Sequence, residues 1–190
     1  NLFLGLSTGA NVIASRYLGA RDNDRVSRTV HTSLFLSVAS GALLTVIGVL
    51  FADKMLLLMQ TPDEVLELSA VYLRIYFGGM IAMMVYNFGS SLLRAKGDTK
   101  RPLYYLTIAG VVNVVLNLIF VIFLKMDVAG VALATVISQC LSAFLVTRCL
   151  CHEEGIIHLD LKALRMEKLR LKQIAAIGIP SGLQSTAFAL

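Results

Sequence analysis

The sequence predicts an all-α integral membrane protein, a polytopic helical bundle, on three observations. The 190 residues are 57% apolar and only 15% charged, with a mean hydropathy of +0.76, whereas soluble domains carry about 25% charged residues. Charge is absent from five long blocks: Thr29–Ala52, Ile75–Leu93, Pro102–Leu124, Val128–Thr147 and Gln173–Leu190. Each meets or approaches the roughly 20 apolar residues that cross a bilayer. The basic residues fall in alternate connections, as the positive-inside rule requires.

The first element is the stretch "NLFLGLSTGANVIAS", which the chain enters without a Met, so no targeting signal is legible. Five spans and the tail of a truncated one make six helical segments. Gly5 and Gly9, four residues apart, give this first segment a small face for close helix packing. Gly178 and Gly182 do the same in the last, and Gly130, Ala134 and Ser138 form a ridge in the fifth.

The connections set the orientation. Loop 16–28 holds Arg16, Arg21, Arg25 and Arg28, and loop 94–101 holds Arg94, Lys96, Lys100 and Arg101. Loop 148–172 holds six more, leaving only Lys54, Arg74 and Lys125 for the alternate side. The three rich loops are therefore predicted to be cytoplasmic, in a multi-pass protein of the cell membrane. The first segment then runs inward, and at least one helix precedes it if the N-terminus is cytoplasmic. The pI near 9.3 is accounted for by basic loops meeting anionic headgroups, with no nucleic acid implied.

In "TPDE", Thr61 is placed as N-cap and Pro62 as first helical residue, with two acids facing the helix dipole. Pro102 opens the next span, and Pro180 within the last predicts a kink. Segment 159–172, "LDLKALRMEKLRLK", sets Leu161, Leu164, Leu169 and Leu171 among basic residues, with Asp160 as cap. It predicts a short amphipathic helix on the cytoplasmic surface. Cys140, Cys149 and Cys151 have neither redox nor zinc spacing, and His152 and His158 are six apart where H-E-x-x-H needs four.

The spans carry few polar residues, and these are selective. Asn113 and Asn117 share a helical face in "GVVNVVLNLIF", and Thr135 and Gln139 do so in the following span. Because the joining turn is short, the two pairs lie at matched depths, roughly 10 and 16 Å from the outer boundary at 1.5 Å per residue. They serve either as interhelical hydrogen bonds or as the walls of a cation or substrate cavity. No span carries a carboxylate, so an ion-coupling acid is expected on another helix.

"GANVIASRYLGARD", "LLRAKGDTKRP", "NVVLNLIFVIF", "VAGVALATVISQ" and "GIPSGLQS" occur in this order along the whole chain. Together they resemble the MATE family of multidrug and toxin extrusion transporters. The resemblance implies twelve helices in two six-helix lobes working by alternating access. On that reading residues 1–151 form most of the N-terminal lobe, 152–172 the amphipathic inter-lobe linker, and 173–190 the start of the C-terminal lobe. In members with an N-lobe cation site, an aspartate of the first helix works with Asn, Asp and Thr at positions matching Asn113, Asn117 and Thr135. Asn117 here stands where some members have Asp, which puts a two-carboxylate proton network in doubt. In place of a glutamate that other members carry after the proline of the seventh helix, this chain has Ser185, Thr186 and Phe188.

The implied function is a monomeric antiporter expelling small organic, often cationic, compounds in exchange for Na⁺ or H⁺, with no other cofactor. It is not an enzyme. A lipid-linked saccharide flippase of the same broad superfamily is the alternative, although its phosphate-bearing cargo calls for Arg or Lys in the spans. A channel or structural membrane protein is the third class.

Overall fold

The computed structural model describes residues 1–189. Among them are seven α-helices: α1 (Leu2–Gly19), α2 (Asn23–Leu58), α3 (Asp63–Gly78), α4 (Met80–Ala95), α5 (Lys100–Leu118), α6 (Asp127–Cys151) and α7 (Lys168–Ala189). By length and composition α2, α5 with its continuation to Phe123, and α6 can cross a membrane. The pair α3 and α4, broken at Gly79 by a 44° bend, is together long and apolar enough to supply a fourth. Within the described residues α7 is less apolar, being rich in Gly, Ser, Thr and Gln. Its Gly178 and Gly182 are packed against α1.

Helices run beyond the uncharged blocks. Helix α2 begins at Asn23, where the Asp22 side chain accepts from the Arg25 amide at 3.2 Å, and it continues through Asp53. Helix α3 begins at Asp63, twelve residues before the block it carries. At that end Arg74 donates to Asp53 at 2.6 Å, so charges excluded from the lipid-facing blocks pair between neighbouring helices. Pro62 is the N-cap residue, with extended ψ of 141°, and Thr61 makes no cap bond. The start thus lies one residue later than the sequence predicts, because ψ at Pro62 is not helical.

The close packing is between α1 and α7, which lie antiparallel. A Cβ on Gly5 would stand 2.3 Å from the Gly182 nitrogen, and one on Gly9 would stand 2.4 Å from the Ile174 carbonyl oxygen. The two glycine pairs therefore mate with each other, which lets the backbones touch. Helix α7 is continuous through Pro180. The proline cannot supply the amide that the Ala176 carbonyl would otherwise receive.

The shared apolar core includes Ile13, Val30, Leu34, Met84, Phe88, Leu92, Val146, Leu150 and Ile174, all toward the end that carries the basic loops. At the opposite end the helices present Leu58, Phe123 and Phe188 outward.

Segment 159–172 departs most from expectation. It contains one 3₁₀ turn, Leu161–Ala163, and α7 starts only at Lys168. Asp160 does cap that turn, accepting from the Lys162 amide at 3.0 Å. No amphipathic surface helix forms: at the two ends of the segment Leu159 joins the core and Arg170 is buried against protein, while Leu161 and Leu169 stay exposed. A surface helix would leave Leu159 and Arg170 outside.

Candidate functional site

Asn113 and Asn117 are half-buried on α5. Their amides bond to each other, Asn117 Nδ2 donating to Asn113 Oδ1 at 2.6 Å. That leaves the Asn117 Oδ1 buried with no hydrogen-bond partner. Immediately beyond, Ile119–Phe123 widens into a π-helical turn, in which the Leu124 amide reaches back to the Ile119 carbonyl at 3.0 Å. Such turns recur where a helix is adapted to a function. The chain then reverses through left-handed Lys125 and Asp127 (φ 50° and 49°). Gly130 admits the reversal, since a Cβ there would lie 3.0 Å from those of Phe120 and Met126.

On α6, Thr135 Oγ1 donates to its own helix at the Val131 carbonyl, 3.0 Å away. Gln139 has a buried Oε1 without a partner. This oxygen faces the break in the third span: a Cβ on Gly79 would come within 2.9 Å of it. The structure thus joins Asn113 to Asn117 and sets Gln139 against the Gly79 break. Among the described residues, no side-chain hydrogen bond links the asparagines to Thr135 or Gln139. Two amide oxygens, one on each helix, remain unsatisfied in an apolar setting, where such groups normally find partners. The α3–α4 bend and α6 also border an open, largely apolar groove of about 390 Å³ whose lining includes Gly78, Ile81, Cys140 and Phe144.

The Gly79 break is a feature the sequence reading passed over. Its one signal is the "GG" of residues 78–79 inside an apolar run.

The basic end is also more ordered than loop composition implies. Glu153, only 8% exposed, receives Lys96 and, at 2.8 Å, Arg101 Nη1. Asp98 accepts from the Lys100 and Arg101 amides at 3.2 and 3.1 Å, capping α5. The hydrogen bond from Lys96 is the main cause holding the Glu153 carboxyl below the usual carboxylate range, with Arg101 helping and burial opposing. Nearby, buried Arg170 donates to Tyr17 Oη at 2.6 Å and to Gln173 Oε1 at 2.8 Å, its guanidinium lying 4.8 Å from the Tyr17 ring centre. Its Nε faces Glu167 Oε2 at 3.6 Å.

Residues 2–119 match the MatE family. The chain belongs to that family. It is 30% identical over 187 residues to a probable multidrug resistance protein, YoeA, of Bacillus subtilis, covering 95% of this chain and 40% of that protein. It is 25% identical over 185 residues to the multidrug export protein MepA of Staphylococcus aureus, covering 97% and 40%. Among solved structures, an inward-facing multidrug resistance MATE family transporter superposes with a TM-score of 0.88 at 28% identity, over 96% of this chain and 42% of that one. An outward-facing one gives 0.90 at 27%, over 99% and 42%. The chain spans about 40% of the length of the curated relatives it matches. MatE membership makes this a multi-pass membrane protein of a transporter family, not an enzyme.

Proposed function

We propose that this MatE chain belongs to a secondary antiporter that exports organic, often cationic, compounds in exchange for Na⁺ or H⁺ by alternating access. Residues 1–151 supply most of one lobe, 152–172 the connection, and 173–190 the start of the second lobe, with the basic loops in the cytoplasm. The observation carrying this reading is the pair of buried, unpartnered amide oxygens on Asn117 and Gln139. Neutral oxygens without protein partners suit a weakly held cation or a substrate donor, which must bind and then leave. Asn113 fixes the Asn117 amide, and Thr135 contributes its hydroxyl after rotating from Val131. The open apolar groove between the α3–α4 bend and α6 suits the hydrocarbon part of an organic guest.

The test is efflux of a fluorescent organic cation from loaded, de-energised cells expressing the complete protein, under an inward Na⁺ or an inward H⁺ gradient. One gradient is expected to drive efflux. Asn113→Leu and Asn117→Leu together are expected to cut that coupled efflux at least about tenfold, the scale of losing one charge-assisted contact. Unchanged coupling in the double variant sinks the assignment of these residues. Silence under both gradients turns attention to lipid-linked cargo.

A further inference from the structure

We propose that residues 160–167 form a strap whose grip on α2 is released when His31 takes up a proton. His31 lies on α2 and is only 9% exposed. Its Nδ1 is 2.7 Å from the Ser27 carbonyl oxygen, an acceptor that only an N–H satisfies. Its Nε2 is 3.1 Å from the backbone nitrogen of Asp160, a donor that only a lone pair satisfies. One neutral tautomer, with the proton on Nδ1, meets both demands. Placing a second proton on Nε2 sets two donors face to face, and the contact to the strap is lost.

The next residue holds the strap's other end. Thr32 Oγ1 accepts from the Glu167 amide at 3.2 Å and donates to the Arg165 carbonyl at 3.4 Å. Two clefts flank His31, of about 500 and 570 Å³, so water reaches the strap from both sides. Charged and titratable neighbours are Arg28, Arg165 and Glu167 in one cleft and His158 and Asp160 in the other. Glu167 is engaged by Arg28 at 3.5 Å, and the Asp160 carboxylate by the Lys162 amide. His158 turns its Nδ1 to the Glu153 carbonyl at 3.2 Å. None of these hydrogen-bonds the His31 ring through a side chain.

The sign follows from linkage: a contact made only by the deprotonated ring is complete at high pH and fades as the ring protonates, by up to about tenfold per pH unit. Because the strap runs directly into α7, release loosens the basic end of the α1–α7 seam. This inference rests on the hydrogen-bond geometry and not on the transported compound.

Hydrogen–deuterium exchange of segment 156–167, on the complete protein in lipid nanodiscs, tests it. Measurements are made at about pH 5.5 and about pH 7.5. After correction for intrinsic rates, wild type is expected to open about tenfold more at the lower pH. His31→Gln, whose amide offers both a donor and an acceptor without titrating, is expected to be flat, while His158→Gln keeps the wild-type response. Equal protection of wild type at the two pH values overturns the proposal, whether or not the variants fold. So does an undiminished response in His31→Gln, or a response abolished by His158→Gln.

Discussion

Glu153 illustrates how much one side chain decides at the basic end. Lys96, just after α4, and Arg101, in the first turn of α5, converge on it, while Asp98 orders the start of α5. Its carboxyl is held below the usual range by Lys96 first and Arg101 second. A depressed carboxylate contributes stability that is present above the unfolded value, about 4.3 for glutamate, and lost as pH falls through the lower folded value. The basic end is therefore expected to hold through the physiological range and loosen only below about pH 4. Glu153→Gln is expected to lower Tm by about 2–4 °C near neutrality, the shift corresponding to roughly 1 kcal/mol in a chain of this size, and to flatten the acid limb. Thermal unfolding across pH checks both; an unchanged acid limb in the variant shows that another carboxylate controls it. Arg170 makes the complementary point. Its sequence position among lysines reads as solvated, yet Tyr17, far along the chain on α1, buries it. Nothing local to residues 168–172 encodes that contact.

At the level of elements, the Gly79 break joins α3 to α4 and brings Gln139 of α6 to the bend. Gly79→Ala is expected to destabilise, because the new methyl would meet Gln139 Oε1 and Val136 Cγ2 at 2.9 Å each. Adding Gln139→Ala is expected to relieve part of that cost, with a coupling of roughly 0.5–3 kcal/mol in a double-mutant cycle of unfolding free energies. Strict additivity would separate the two residues. Helix existence was legible because uncharged blocks of bilayer length admit no other backbone. Helix ends were not, since the charges that bound α2 and α3 pair with each other across the helices, as Asp53 does with Arg74. The amphipathic pattern of 159–172 misled because its two ends are held by protein, Leu159 in the core and Arg170 against Tyr17, while Leu161 and Leu169 stay exposed. Within the candidate site, the shared face of Asn113 and Asn117 was legible from spacing. That Thr135 bonds to its own helix while the Gln139 oxygen faces the Gly79 break without a partner, and that a π-turn follows Asn117, needed the packing of α3, α4 and α6.

Over the whole molecule, the closest helix joint is the one between α1 and α7. The glycine seam between α1 and α7 has no slack: Gly9→Ala would press a methyl against the Ile174 carbonyl at 2.4 Å, a rigid backbone atom. A loss of roughly 1–3 kcal/mol is expected, as for other overpacked contacts. Gly19→Ala, which meets nothing within 4 Å, is expected to be neutral by comparison. Thermal unfolding in detergent distinguishes them, and equal melting temperatures would show that the seam yields. The same seam imposes an order of assembly. Tyr17 and its partner Gln173 are 156 residues apart, and a ribosome adding about 5–20 residues per second needs roughly 8–30 s to traverse that interval. Throughout it the glycine face of α1 is in the bilayer without α7. The nascent protein must keep that face screened by lipid or by the insertion machinery until its distant mate is made.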